Sequence, residues 1–354
     1  MDCAGRPYIF GWLCLIMAYS RLVTRLEDRE SCWASIRGKQ VVVMGYGNQG
    51  RSQSLNMRDS GLSVIVGNRS DEYADRARSE GFPVLDIAEA ARRADILFAL
   101  IPDEVQPEVF REEVTPNLRD GCTVVFASGY NYYYGTVTLP EQCNVVMLAP
   151  RMIGFGVRKR YLEGRGFPVL VAVGKDYTGD AEKQLLGLAD AVGVFRRGGV
   201  AVRSSFREET LLDLLSEHTW AGALLYLFRA YYEVATGFGA SPEAVILELY
   251  ASGELEEIAG SIASEGLFKQ LRNHSHTSQY GQLTRGPLFA DNNTKELMRE
   301  LGLEILDGTF AKEWSLEQLS GLTHFKKLYE LALQHPMEKE EEKLYEILSG
   351  KEEK

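Results

Sequence analysis

The sequence lacks the features of a metal-cluster, disulfide-rich or nucleic-acid-binding protein. Its 354 residues include only five cysteines, scattered without a C-x-x-C pair. The sequence therefore predicts neither a zinc site nor a disulfide framework, and it favours a reducing cytoplasm. The formal net charge is −11. Because no basic stripe interrupts this acidic balance, we predict no nucleic-acid partner.

Long apolar runs are also scarce, and the one nearest the N terminus is short. Residues 10–18, FGWLCLIMA, follow a single arginine and are too few to span a bilayer comfortably. The run resembles the core of a signal peptide. The alternative is an N-terminal extension, or a misplaced start, ahead of a cytoplasmic enzyme. We favour this alternative, and predict no membrane partner, because the remaining chain has a cytoplasmic character.

From Gln40 to about Val202, short β-rich runs alternate with helical stretches, which predicts an α/β fold with a doubly wound parallel sheet. The predicted strands are VVVMG, VIVG, ILFALIP (96–102), TVVFAS (123–128), NVVMLAP (144–150) and PVLVAV (168–173). After Arg203 the periodicity is helical, so we place a boundary there. The predicted divisions are an extension (1–24), a Rossmann-type domain (25–203), a helical domain (204–340) and a charged tail (341–354).

The most informative segment is KQVVVMGYGNQGRSQSLNMRDSGLSVIVGN, residues 39–68. It contains a strand, a glycine-rich turn, a helix and a second strand, which is typical of a dinucleotide-binding unit. Gly45 permits the tight turn, Gly47 permits backbone to approach a pyrophosphate, and Gly50 permits close packing of the helix. The pyrophosphate would lie at the helix N terminus. The segment therefore predicts a nicotinamide or flavin cofactor.

Motifs in both halves resemble the ketol-acid reductoisomerases, of the short bacterial type. They are GYGNQG, IPDEVQPEVF (101–110), LAPRMIGFGVRKRYLEGRGFP (to Pro168), SSFREETLLDLLSEHTWAG (204–222), SQYGQLTRGP (278–287), DGTFAKEW (307–314) and HPMEK (335–339). The resemblance implies Mg²⁺-dependent alkyl migration and NADPH reduction of 2-acetolactate-type acyloins to 2,3-dihydroxy acids in valine and isoleucine synthesis. It also implies a knotted all-helical C-terminal domain, and a homodimer or larger homo-oligomer with shared active sites.

The resemblance assigns cofactor contacts to three segments: Tyr46, Gly47, Asn48 and Gln49; Asp103, Glu104, Val105 and Gln106; and Gly154. The loop after the second strand reads NRSDEY. Arg69 and Ser70 could bind a 2′-phosphate, whereas Asp71 and Glu72 would repel it and could accept a hydrogen bond from a ribose 2′-hydroxyl. Family membership favours NADP, and the local charges permit NAD.

Asp213 and Glu217 are four residues apart in an apolar helical run, so their carboxylates project from one face and could bind Mg²⁺. The resemblance assigns them to the family's metal helix and assigns Glu248 as a third ligand of two Mg²⁺ ions. Where the fourth carboxylate is expected, the chain has Ser252. Either Glu254 replaces it or the second metal site is weakened. Ser275 matches a serine that contacts the substrate carboxylate.

Ser128 and Arg151 occupy the two positions that the resemblance implies are catalytic, and both depart from the family pattern. Ser128 stands where the family has histidine, and Arg151 stands where it has lysine. Serine does not titrate near neutral pH, and arginine does not readily release a proton. We therefore keep two other hypotheses: a reductase of another keto acid or imine without isomerase activity, and a catalytically silent cofactor-binding protein.

Overall fold

The computed structural model describes residues 21–349, and the chain divides into two compact units. The first unit ends at Thr210 and the second begins at Leu211. The predicted boundary at residue 203 coincides with the last residue of a strand, and the division falls within the helix that follows. The domain limits given above stay a prediction.

The first unit contains a nine-stranded sheet. Its strands are β1 (Leu22–Val23), β2 (Gln40–Met44), β3 (Ser63–Gly67), β4 (Val84–Leu85), β5 (Ile96–Ala99), β6 (Thr123–Phe126), β7 (Asn144–Pro150), β8 (Pro168–Lys175) and β9 (Val200–Arg203). The spatial order is β1-β9-β8-β7-β6-β5-β2-β3-β4. The direction of this order reverses between β2 and β5, which is where doubly wound sheets bind ligands.

Helices cover both faces of this sheet. They are α1 (Arg29–Ala34), α2 (Asn48–Asp59), α3 (Glu72–Ser79), α4 (Ile87–Arg93), α5 (Gln106–Val109), α6 (Tyr130–Tyr133), α7 (Gly154–Leu162) and α8 (Ala181–Val192). A π-helical turn (Phe110–Val114) and a 3₁₀ turn (Thr115–Asn117) follow α5. Alternate residues of β2 enter two different cores, Val41 and Val43 on one face and Val42 and Met44 on the other. This confirms the predicted α/β class, because only a sheet covered on both faces buries consecutive residues.

The six predicted strands are present, and the structure adds β1, β4 and β9. β1 and β4 have only two residues each, too few for a recognisable alternation of apolar and polar residues. β9 has four residues and ends in a charged one, Arg203. The sheet is not wholly parallel as predicted, since β7 pairs antiparallel with β8 and β1 pairs antiparallel with β9. Antiparallel strands are common additions to parallel sheets.

Every regular element described in the second unit is helical. Its α-helices are α9 (Phe206–Ser216, shared with the first unit), α10 (Gly222–Gly237), α11 (Pro242–Ile246), α12 (Glu254–Glu265), α13 (His276–Arg285), α14 (Asn292–Asp307), α15 (Thr309–Leu319), α16 (Thr323–Leu333) and α17 (Pro336–Leu348). One π-helical turn connects α9 to α10 (Glu217–Ala221), and another follows α11 (Leu247–Ala251). Two 3₁₀ turns cover Lys269–Asn273 and Gly286–Phe289. Among residues 21–349, no helix is long and apolar enough to cross a membrane. The apolar run at residues 10–18 lies outside the described residues, and so does the predicted extension up to residue 20.

The core of the second unit is small. It contains Tyr232, Val245, Ile246, Met337 and Leu344. Leu344 lies in the segment predicted to be a charged tail, where α17 continues to Leu348. Helices α12, α13 and α16 bury no residue at all. The knotted topology that the resemblance implies stays a prediction.

Candidate cofactor cleft and metal-binding carboxylates

The glycine loop between β2 and α2 has the geometry that its sequence predicts. Gly45 has φ +86°, and a Cβ there would lie 2.7 Å from the Leu100 carbonyl oxygen. A Cβ on Gly50 would lie 2.0 Å from the Gly45 carbonyl oxygen. Nothing lies within 4 Å of the Cβ position of Gly47. The loop is therefore tightly packed on the protein side and open at the glycine predicted to approach a pyrophosphate.

The N terminus of α2 has the character of an anion site. Gly47 is its N-cap and supplies no side-chain cap, and the first turn contains no acidic residue. The first N–H groups of a helix lack intrahelical partners, and the helix dipole favours a negative charge near them. A pyrophosphate would satisfy both requirements.

This loop borders a cleft of about 680 Å³. The cleft contains most of the predicted cofactor contacts: Gly45, Tyr46, Gly47, Asn48, Gln49, Arg69, Asp103, Val105 and Gln106. Ala127 and Ser128 also line it. The structure thus brings two separate cofactor segments together with one of the predicted catalytic residues, at the switch point between β2 and β5.

Tyr46 contributes to this cleft differently from its neighbours. Its ring is 1% exposed and packs edge-on against Phe82. Its hydroxyl donates a 2.6 Å hydrogen bond to the Glu80 carboxylate, which also accepts from the Arg51 guanidinium. Burial and this acidic partner raise the pKa of Tyr46. The side chain therefore anchors the loop to the core, and only the backbone of Tyr46 is available to a ligand.

The second predicted cofactor segment is held by amide side chains. The Asn131 amide donates to the Asp103 carboxylate over 3.0 Å, as does the Gln106 amide. Gln106 is 3% exposed, and its Oε1 has no hydrogen-bond partner among the described residues. A buried acceptor without a donor is costly. Glu104 is exposed beside Val105.

Gly154 is predicted as a cofactor contact, and the structure places it against the glycine loop. It is buried at the first position of α7. The Phe155 N–H donates to the Asn48 side chain over 3.1 Å, and the Gln49 amide donates to the Met152 carbonyl over 2.8 Å. The segment after β7 therefore fixes the position of the pyrophosphate loop.

Substituting Gly154 by alanine is expected to weaken cofactor binding. The new Cβ would lie 2.1 Å from the Asn48 carbonyl oxygen, and so the loop must move. We expect a loss of about 1–3 kcal/mol of unfolding free energy, as for other overpacked sites, and a cofactor KM at least about tenfold higher, which corresponds to 1.4 kcal/mol. Gly260→Ala is the control, because nothing lies within 4 Å of that Cβ position. An unchanged cofactor KM in Gly154→Ala would contradict this role.

The two departures from the family pattern lie close to one buried glutamate. Ser128 accepts a 3.2 Å hydrogen bond from the Tyr130 N–H at the start of α6. Glu209, whose side chain is 1% exposed, accepts from the Gly129 N–H over 2.5 Å and from the Arg151 guanidinium over 2.8 Å. Glu209 therefore ties the turn after β6 to the residue after β7.

The sequence does not predict that Glu209 belongs to the site, because an acidic residue in the first turn of a helix is ordinarily explained by its favourable interaction with the helix dipole. The adjacent Glu208 does behave as a solvated residue and pairs with Arg21. The only signal that separates the two is that Glu209 is one helical turn before Asp213. This spacing places the two acids on one face of α9.

The loop after β3 is organised around Asp71. Its carboxylate accepts from the N–H groups of Tyr73 and Ala74 as the N-cap of α3, and from the Asn68 amide. It also pairs with Arg69 over 2.9 Å. These hydrogen bonds hold the pKa of Asp71 below its usual value despite the opposing effect of burial. The loop therefore contains its own anion where a 2′-phosphate is predicted.

In the second unit, the structure brings Asp213 and Glu217 together. Glu217 is the first residue of a π-helical turn that follows α9, and such turns frequently occur at functional sites. Burial raises the pKa of Glu217, and the nearby Asp213 carboxylate raises it further. A cation bound between the carboxylates would relieve that repulsion. The pair therefore fits a Mg²⁺ ion, which needs only one or two carboxylates in addition to waters.

The other predicted ligands are not gathered with this pair. Glu248 lies in the second π-helical turn, and Glu254 begins α12 after Gly253, which has φ +88°. Within residues 21–349, no three or more acidic, histidine or cysteine side chains are grouped so that they could hold a metal ion. Ser275 is the N-cap of α13 and accepts from the Ser278 N–H over 3.2 Å. A complete metal centre does not form from the described residues of a single chain.

Comparisons with known proteins agree with these features. The family model "Acetohydroxy acid isomeroreductase, NADPH-binding domain" matches residues 35–198. The model "Ketol-acid reductoisomerase, C-terminal domain" matches residues 206–349. The chain belongs to the ketol-acid reductoisomerase family. The predicted family and the predicted class of enzyme, an NAD(P)H-dependent oxidoreductase, are thereby confirmed.

Relatives within the family are similar over nearly the whole chain. The chain is 48% identical to the "Putative ketol-acid reductoisomerase 3" of Saccharolobus solfataricus, over 89% of this chain and 96% of that protein. It is 42% identical to the "Ketol-acid reductoisomerase (NADP(+))" of Pyrobaculum aerophilum, over 91% and 98%. A solved structure, an NADH-preferring ketol-acid reductoisomerase from an uncultured archean, matches with a TM-score of 0.83 and 31% identity over 88% and 96%.

Proposed function

We propose that the protein is a Mg²⁺-dependent ketol-acid reductoisomerase that converts 2-acetolactate-type acyloins to 2,3-dihydroxy acids in valine and isoleucine synthesis. The observation that carries the proposal is the pairing of Asp213 with Glu217 in a chain that also has the complete nucleotide cleft. Bound Mg²⁺ would polarise the carbonyl and hydroxyl oxygens of the acyloin during alkyl migration. The buried free thiols of Cys32, Cys122 and Cys143 fit a reducing cytoplasm.

The roles of the chain's own residues follow from their contacts. The N terminus of α2 binds the pyrophosphate, and the segment from Asp103 to Gln106 orients the nicotinamide end. Arg151 keeps a permanent positive charge that is held in place by Glu209, and it binds an anionic oxygen of the substrate. Ser128 shapes the turn beside the cofactor, because its hydroxyl accepts a backbone N–H. Neither Ser128 nor Arg151 serves as a general base at neutral pH.

The presence of Ser128 in place of the family's histidine favours a second candidate function, because its hydroxyl accepts a backbone N–H and does not titrate near neutral pH. If the family's histidine is needed for alkyl migration, the protein would reduce a keto acid or imine without isomerase activity. Incubation with 2-acetolactate, Mg²⁺ and NADPH or NADH, while the absorbance of the reduced nicotinamide is followed, tests both functions. Turnover of 2-acetolactate supports the first proposal. Turnover of only the rearranged 3-hydroxy-3-methyl-2-keto acid supports the second, and no turnover of either substrate by folded protein contradicts both.

We further propose a homodimer or larger homo-oligomer in which a second copy completes each metal centre. The second unit exposes large apolar side chains, including Trp220 (63%), Tyr226 (69%) and Phe238 (89%). A helical unit with such a small core needs another apolar surface to bury these residues. Glu248 and Glu254 of the second copy would then be available beside Asp213 and Glu217. Light scattering on the purified protein tests this proposal, and a monomer at working concentration would contradict it.

We propose NADPH as the preferred cofactor, with Arg69 and Ser70 as contacts of the 2′-phosphate. Several relatives, including the 42% identical protein from Pyrobaculum aerophilum, are named as NADP(+) enzymes. The similar solved structure is described as NADH-preferring. In this chain, Asp71 is the residue that opposes NADPH, since it neutralises Arg69 and repels a phosphate.

Asp71→Asn is expected to raise the preference for NADPH over NADH by about tenfold. Asparagine is as good an N-cap as aspartate, so α3 keeps its cap while a negative charge near the phosphate is lost. A change of 1.4 kcal/mol corresponds to this factor. The ratio of kcat/KM for the two cofactors is the measurement. Asp75→Asn is the control, because Asp75 pairs with Arg78 on the exposed face of α3. An unchanged ratio would show that Asp71 does not oppose NADPH.

A further inference from the structure

A second cleft, of about 620 Å³, borders the glycine loop and has a strongly basic lining. It shares Gly47, Asn48 and Tyr73 with the cofactor cleft. Its charged lining residues are Arg51, Arg76, Arg158, Lys159 and Glu163. Four cations therefore face one carboxylate next to the loop predicted to hold the pyrophosphate. Such a surface attracts anions.

Two of the four cations are already neutralised. Arg51 pairs with Glu80, and Arg158 pairs with Asp59 over 2.7 Å. Arg76 and Lys159 differ from them. Within the part of the chain that the structure describes, neither side chain forms an ion pair or a hydrogen bond. Arg76 contributes to lowering the pKa of Glu80, against the effect of burial, without forming an ion pair with it. Glu163, the one acidic residue in the lining, lies 3.7 Å from Arg165.

The position of Arg76 on α3 directs it toward the loop. Arg76 follows Tyr73 by three residues, which places both side chains on one face of the helix, and both line the basic cleft. In the loop after β3, the groups that could donate hydrogen bonds to a 2′-phosphate are partly occupied. The Asp71 carboxylate accepts from the N–H groups of Tyr73 and Ala74 and pairs with Arg69. Unpaired positive charge near the adenosine end of the cofactor is therefore supplied by Arg76 and, across the cleft, by Lys159.

We propose that Arg76 and Lys159 form a subsite for a phosphate-monoester dianion, and that its ligand is the 2′-phosphate of NADPH. This inference rests on the proposed nicotinamide-dependent function and adds two residues to the specificity-determining set. Guanidinium and ammonium groups bind phosphate through charge-assisted hydrogen bonds. The subsite would let the chain accept NADPH although Asp71 remains in the loop.

Calorimetry with 2′,5′-ADP, 5′-AMP and inorganic phosphate tests the subsite on the full-length protein. We expect Arg76→Gln and Lys159→Gln each to weaken 2′,5′-ADP binding by at least about tenfold, as expected for loss of a hydrogen bond to a charged group. The affinity for 5′-AMP should stay within about twofold. Arg78→Gln is the matched control, because Arg78 lies on the same helix and pairs with Asp75 over 2.8 Å. It should change neither affinity.

Three outcomes would overturn the proposal. Equal losses for 2′,5′-ADP and 5′-AMP would make Arg76 and Lys159 structural residues. Unchanged affinities in both variants would remove them from the cofactor site. A loss confined to inorganic phosphate would assign the subsite to a free anion. Because binding needs no turnover, an enzyme that fails the acetolactate assay can still pass this test, and so the two proposals fail separately.

Discussion

Asp213→Asn is expected to reduce turnover of 2-acetolactate by at least about 100-fold. The substitution removes one of the two adjacent carboxylates that fit Mg²⁺ and leaves the shape of the side chain unchanged. Metal-ion stabilisation of developing charge is worth several kcal/mol, and each 1.4 kcal/mol of lost transition-state stabilisation is tenfold in rate. The measurement is kcat at saturating Mg²⁺, together with Mg²⁺ binding by calorimetry.

Glu208→Gln is the control for Asp213→Asn. Glu208 lies on the same helix, pairs with Arg21 and is not predicted to bind metal. This variant should keep its turnover within about twofold, because exposed ion pairs contribute little. If Asp213→Asn folds and retains turnover within tenfold of the unmodified protein, Asp213 is not a metal ligand.

Glu209→Gln is expected to destabilise the first unit and to lower activity together. Removing one member of a fully buried ion pair costs about 3–5 kcal/mol. Since the Arg151 side chain is 32% exposed, water partly replaces its partner. We therefore expect a loss of about 2–3 kcal/mol of unfolding free energy. Urea unfolding measures the stability, and kcat measures the effect of releasing Arg151.

Glu208→Gln is also the control for Glu209→Gln. Glu208→Gln should change the unfolding free energy by less than about 1 kcal/mol, because Glu208 and Arg21 are both well exposed. If the two variants have the same unfolding free energy, the buried contacts of Glu209 with Gly129 and Arg151 do not stabilise the first unit. If Glu209→Gln loses stability and keeps full kcat, Glu209 does not position Arg151 for the reaction.

Much of the fold could be predicted because its signals are local. The strand, glycine turn and helix from residue 39 to 68 lie within one continuous segment. The positions of Gly45 and Gly50 can be read from the sequence, because both belong to the G-x-G-x-x-G spacing of this segment. The strands β1 and β4 escaped prediction because a strand of two residues has no measurable periodicity. The four-residue β9 ends in the charged Arg203, at the predicted change from sheet to helices.

The candidate site could be predicted only in part. The resemblance places Asp213, Glu217, Ser128 and Arg151 in the reaction, and their roles stay predictions. It does not reveal that the hydroxyl of Ser128 is engaged by the backbone of α6. It also does not separate the buried Glu209 from the exposed Glu208, since the two are neighbours of the same residue type on one helix.

The sequence by itself determined the dinucleotide-binding unit, the change from a sheet to helices and the enzyme family. These follow from residue spacing and from motifs in a fixed order. Only the tertiary structure decided which polar groups are paired. Glu209 meets Gly129 from 80 positions away in the sequence and Arg151 from 58, and Tyr46 meets Glu80 from 34. Such pairings depend on which faces of distant elements pack together. No local pattern encodes them, because the energy of a buried charge depends on all the groups that surround it.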